Sequence, residues 1–129
     1  MKQEQTVKEM VVNGVTYIPK DSAQEAALLD GMKYAIVRTY AAGVFAGYLE
    51  KTWTENGLRM AIVKKARRLW YWKNAASLSE LAMKGTGSPK ECKFPCEVDS
   101  VELINVVEIL DCTKQAQESI KSVPEWTEN

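Results

Sequence analysis

The stretch "RRLWYWKNAASLSEL", residues 67–81, holds two arginines, three aromatic rings and a helix start within fifteen residues. Read as a strand, Arg67, Leu69 and Tyr71 fall on one face and Arg68, Trp70 and Trp72 on the other. Ser77 and Glu80 then have the S-x-x-E spacing of a capping box, and Leu81, Ala82 and Met83 follow as the first apolar residues of a helix. A basic, aromatic strand running through a short polar turn into a capped helix implies mixed secondary structure. It also raises the question of whether the rings fill a core or frame a pocket.

Upstream, "MKYAIVRTYAAGVFAGYLEKTW", residues 32–53, splits into two strand-like runs around Ala41-Ala42-Gly43. Tyr34, Ile36, Arg38 and Tyr40 share one face of the first run, and Ala35, Val37 and Thr39 the other. Gly43 and Gly47 permit a bulge or close backbone approach. "TENG" is a turn, and "LRMAIVKKARRLWYW" supplies one long bent strand or two short ones. Downstream, "GTGSP" ends the helix and "KFPCEVD" is a loop or short edge strand. "SVELINVVEIL", residues 100–110, reads as a strand, and "TKQAQESIKSV" as a helix capped by Thr113 and stopped by Pro124. At the N-terminus, Asn13-Gly14 lies between two β-branched runs, the signature of a two-residue hairpin turn. Residues 20–31 read as a short helix or a linker. The expected fold class is α+β: a small, mostly antiparallel β-sheet or partly open barrel with two or three short helices and an N-terminal β-hairpin. Residues 1–31 form the hairpin and helix or linker, an element suited to oligomerisation. Residues 32–129 form the main domain.

Hydrophobic residues make up 46% of the 129-residue chain and charged residues 26%, ordinary values for a folded domain. Lys plus Arg equals Asp plus Glu at 17 each, so a protein whose main task is coating nucleic acid is not expected. No apolar run is long enough to span a membrane, and the polar N-terminus does not resemble a signal peptide. An odd number of cysteines, Cys92, Cys96 and Cys112, argues against a disulfide framework, and without histidine a zinc site is not expected. The lack of histidine also removes the commonest general base and every Ser-His or Cys-His pair. We therefore expect a non-enzymatic protein without metal or cofactor.

The segments "MKYAIVRTYAAGVFAGYLE", "ARRLWYWKNAASLSELAMKG" and "CKFPCEVDSVELINVVEIL" resemble a family of small domains of unknown function encoded by phages and prophages. The likeness covers roughly residues 32–123, and "VVNGVTYIPKD" is similar to a short N-terminal element of other small phage proteins. The resemblance implies a viral setting and the host cytoplasm, where small proteins disarm host defences. It brings no assigned catalytic residues.

Two readings of residues 67–81 stand side by side. In one, the rings fill a core or cover a sheet face and the capping box merely starts a helix. In the other, Arg67, Arg68 and the Ser77 helix start clamp a phosphate, and Trp70, Tyr71 or Trp72 stacks on a base. Asn74 and Ser79 then add polar contacts, and Arg38 and Tyr40 complete the wall. For Arg38, an internal salt bridge to Glu50 or Glu102 is slightly favoured. The leading functional expectation is sequestration of a small anionic ligand, a nucleotide or cyclic-nucleotide-type immune signal, by a homo-oligomer. The alternatives are a protein-interaction module anchored by Trp53 or Trp126, acting on a host protein or in phage assembly, and single-stranded nucleic-acid binding.

Overall fold

The computed structural model describes residues 10–12, 15–17 and 24–128. Strands β1 (Met10–Val12) and β2 (Val15–Tyr17) pair antiparallel, with Val12 opposite Val15. That register leaves two residues for the connection, as the Asn-Gly pair requires, though residues 13 and 14 themselves lie outside the described residues. Residues 24–31 are not helical. Their backbone groups are bonded elsewhere: the Ala27 N–H donates to Gln117 Oε1 (2.8 Å), Gln117 Nε2 donates to the Ala27 carbonyl (2.9 Å), and the Gln24 carbonyl accepts from the Lys114 N–H. The proposed helix cap at Asp21 or Ser22 falls outside the described residues.

The main sheet contains β3 (Lys33–Thr39), β4 (Val44–Glu55), β5 (Leu58–Arg68), β6 (Glu97–Ile104) and β7 (Val106–Asp111). Its order is β6-β5-β4-β3-β7, all antiparallel. Helices α1 (Leu78–Lys84) and α2 (Lys114–Ser122) complete the fold, with a 3-10 turn at Pro89–Glu91. The sheet is open, because no ladder joins β6 to β7. Yet these opposite edges are consecutive in the chain, joined by Asn105 alone at φ 60°. Two peptide units span at most about 7.6 Å, so the edges meet at one corner and the sheet coils on itself there. This corrects the expectation of a single strand over residues 100–110. Asparagine tolerates left-handed backbone, and one such residue sends the second half of the run to the other edge of the sheet.

Two bulges between β4 and β5 help the sheet to coil. Gly47 faces both Lys65 and Ala66 of β5, with Lys65 at φ 49°, and Glu50 is the extra residue on β4 before Lys51. Alternation then sorts the side chains onto two faces. Tyr34, Ile36, Ala46 and Tyr48 point to the side covered by α1 and α2, where they join Leu69, Leu81, Phe94, Ala116 and Ile120. Val37, Phe45, Ala61, Val63, Leu103 and Val106 pack inside the coil. Both helices begin as their sequences imply: Ser77 Oγ accepts from the Glu80 N–H at 3.5 Å, and Thr113 Oγ1 accepts from the Ala116 N–H at 3.1 Å. Among the described residues no helix is long and apolar enough to cross a membrane.

The three cysteines are free, with Cys92 and Cys112 buried and Cys96 exposed. Burial, and secondarily the charge of Asp111, pushes the Cys112 thiol up to about 12. Since the thiolate is the nucleophile, native protein at neutral pH is expected to take up one maleimide quickly, at Cys96, and the other two only after denaturation. Mass spectrometry of the labelled protein checks this; rapid native labelling of Cys112 would contradict the burial.

Candidate functional site

The residues singled out by sequence do not converge on one pocket. β5 ends at Arg68, so Leu69, Trp70 and Trp72 are not strand residues. The Leu69 N–H donates to the Val44 carbonyl (2.8 Å), after which the chain leaves the sheet and Tyr71 pairs with Lys93. Arg67 and Arg68, adjacent in β5, project to opposite faces. Arg67 is buried on the helix side: Nε donates to the Pro95 carbonyl, Nη1 to the Ile120 carbonyl and Nη2 to the Phe94 carbonyl, each at 3.1 Å. Burial lowers its pKa, opposed by the nearby Tyr34, Glu125 and Glu97. Arg68 lies on the other face, its guanidinium 4.3 Å from the Phe45 ring centroid and its Nη1 donating to the Ala42 carbonyl. The phosphate clamp expected from these two arginines and Ser77 is therefore not formed.

The helix start offers no substitute. α1 has seven residues, Ser77 already caps it, and the Glu80 carboxylate accepts from the Ala76 N–H at 2.5 Å. A negative charge thus sits where an anionic ligand would have to come. Ser79 is exposed on α1. Asn74, at φ 64°, donates to Ser88 Oγ (3.1 Å) and fixes the turn before the helix. Trp72 packs partly buried against the helix-side core. Arg38 bonds Glu108 of β7 at 2.8 Å rather than Glu50 or Glu102, and Tyr40 stands exposed at the β3–β4 turn. Trp53, one of the suggested anchors, is half-buried and donates its indole N–H to Glu55 Oε1 at 3.1 Å.

The structure gathers a different set. Three extended segments meet outside the sheet: Tyr71 and Lys93 exchange both backbone hydrogen bonds, and Phe94 bridges Glu125 and accepts from the Trp126 N–H at 3.0 Å. This brings the indoles of Trp70 and Trp126 together in a stacked pair, centroids 5.3 Å apart and planes within 3°. Lys93 Nζ lies 5.5 Å from the Trp70 ring centroid, 5.6 Å from Trp126 and 5.8 Å from Tyr71. Trp70 is 58% exposed and Tyr71 44%. Among the described residues no carboxylate stands within ion-pair distance of Lys93. By contrast Lys73, two residues after Tyr71, pairs with Glu91 at 3.1 Å, which raises its pKa.

The result is an open aromatic surface with one cation at its centre. Sequence reasoning found Trp70 and Tyr71, and treated Trp126 only as an anchor for a protein partner. It missed Lys93, whose place depends on contacts with rings 22 to 33 positions away in the chain, beyond the reach of any local pattern.

Comparison with known proteins gives one family match. The model of a family described as a domain of unknown function, DUF6948, matches residues 32–120. No curated protein and no solved structure matches the chain. The match spans the whole sheet from β3 to β7, both bulges and nearly all of α2, and on that coverage the chain belongs to the DUF6948 family.

Proposed function

We propose that this protein is a non-catalytic binding module that recognises a planar, anionic ligand of nucleotide type on the Trp70–Tyr71–Lys93–Trp126 surface. The observation that carries this reading is Lys93, a lysine framed by three exposed or half-exposed rings with no carboxylate partner among the described residues. A base stacked on such a surface contributes about 1–3 kcal/mol, and the ammonium adds a charge-assisted contact to a phosphate oxygen. The resemblance to phage-encoded domains suggests the use: holding a cyclic-nucleotide-type immune signal away from its receptor in the host cytoplasm. Self-association through the N-terminal hairpin belongs to the same proposal, because it would bring several such surfaces together.

Thermal denaturation with nucleotides and cyclic dinucleotides tests it. A ligand present at about 100 times its Kd stabilises the fold by about 2.7 kcal/mol, a clear rise in Tm. Trp70→Ala, at a position 58% exposed, is expected to melt near the wild type without ligand, and both it and Lys93→Ala are expected to weaken binding about ten-fold or more. If millimolar ligand leaves the wild-type Tm unchanged, the nucleotide reading is wrong.

A second reading rests on the same stacked indoles. Exposed tryptophan and tyrosine are the residues most enriched at the centres of protein interfaces. A host-protein complex of fixed stoichiometry that Trp70→Ala abolishes, with no nucleotide response, would favour a protein partner.

A further inference from the structure

A separate cleft of about 330 Å³ opens on the helix side of the sheet, lined by Tyr34, Arg67, Glu97, Lys121, Val123 and Glu125. Tyr34 is 3% exposed, and its hydroxyl has no hydrogen-bond partner among the described residues. A buried hydroxyl without a partner costs free energy, so native proteins almost always pair it with protein, water or ligand. The Arg67 guanidinium gives three of its five N–H groups to carbonyls, and no carboxylate among the described residues stands within ion-pair distance of it. Lys121 is held at the same place. Its Nζ donates to the Tyr48 hydroxyl at 2.5 Å and lies 5.8 Å from the Tyr34 ring centroid. Two exposed acidic residues, Glu97 and Glu125, line the same cleft.

The charges decide the ligand class. Arg67 and Lys121 contribute two positive charges, and Glu97 and Glu125 two negative ones. A bare anion would gain from the first pair and be repelled by the second; a bare cation would meet the reverse. A molecule carrying both signs satisfies all four. The volume lies at the lower end of the roughly 300–1,000 Å³ seen for small-molecule sites. We propose that this cleft binds a small zwitterion of the amino-carboxylate class, its anionic group on Arg67, Lys121 and the Tyr34 hydroxyl and its ammonium on Glu97 and Glu125. This site is independent of the Trp70–Lys93 surface and stands or falls without it.

The experiment is calorimetric titration and thermal denaturation of the full chain with the standard free amino acids. Acetate and inorganic phosphate serve as anion-only probes and ethylammonium as a cation-only probe. At least one amino acid is expected to bind more tightly than any one-sign probe. Tyr34→Phe removes a hydroxyl that has no internal partner, so its Tm without ligand should equal or exceed the wild-type value while its affinity falls about ten-fold. Glu125→Gln, at an exposed position, keeps the fold and should weaken the amino acid while leaving acetate binding equal or stronger. The proposal is overturned if no amino acid binds, if acetate or phosphate binds as well as the best amino acid, if both variants bind like the wild type, or if Tyr34→Phe lowers the Tm.

Discussion

Replacing Arg67 with methionine is expected to destabilise the protein by about 3–5 kcal/mol, a large share of the roughly 5–15 kcal/mol that holds a domain of this kind together. Methionine retains most of the apolar stem and none of the donors. The Pro95 carbonyl would then be left without a donor among the described residues, and the Phe94 and Ile120 carbonyls would keep only the N–H groups of Trp126 and Val123. Each hydrogen bond from the charged guanidinium contributes about 1.5–3 kcal/mol, offset in part because that group no longer has to be desolvated, and its contact with the Phe94 ring at 5.6 Å is lost as well. The three carbonyls come from the loop before β6 and from the last turn of α2, so Arg67 fastens both to the sheet. Arg67→Lys should recover little, because a single ammonium does not reproduce a fork aimed at three acceptors. Equilibrium urea denaturation measures the loss. A change under about 1 kcal/mol would mean that this arginine is not the internal tie described here.

Gly47→Ala is expected to destabilise the fold by about 2–3 kcal/mol. A methyl group there would sit 2.7 Å from Val63 Cγ1, 2.8 Å from the Lys64 carbonyl oxygen and 3.0 Å from Ala66 Cα. Two of these neighbours are backbone atoms in the bulge of β5, which cannot swing away as a side-chain end can. Relief would require opening the β4–β5 ladder where the sheet bends most. Gly57→Ala is the internal control. It has nothing within 4 Å of the added methyl but sits at φ 78°, so only local backbone strain opposes it, about 1 kcal/mol. If the two variants prove equally stable under urea, the close approach at Gly47 does not matter to the fold.

Both residues show how far the sequence could be read. Alternation in residues 33–39 and the caps at Ser77 and Thr113 are local signals, and each appears in the structure as its chemistry implies. Gly47 was legible as a place for close approach, though not what it approaches. The coiled sheet was not legible. It depends on Asn105 turning an uninterrupted-looking strand pattern into two opposite edges, and asparagine marks such a position only weakly. The basic and aromatic residues clustered around Arg67 point, in sequence, to a ligand clamp as readily as to a core. The carbonyls that Arg67 holds lie 27, 28 and 53 positions away and contribute only backbone oxygens, which leave no trace in residue type. The same holds for Lys93, which gains its aromatic surroundings from two distant segments of chain.

The central claim is that recognition takes place on the Trp70–Tyr71–Lys93–Trp126 surface, and nuclear magnetic resonance tests it most directly. Each of the four tryptophans has an indole N–H signal that can be followed during titration with a cyclic dinucleotide. The account predicts that the signals of Trp70 and Trp126 and the Lys93 amide move together and saturate, while those of Trp53 and Trp72 stay in place. Movement confined to Trp53, to the Ser77 helix start or to the Arg68 face, or no movement at all, would contradict it.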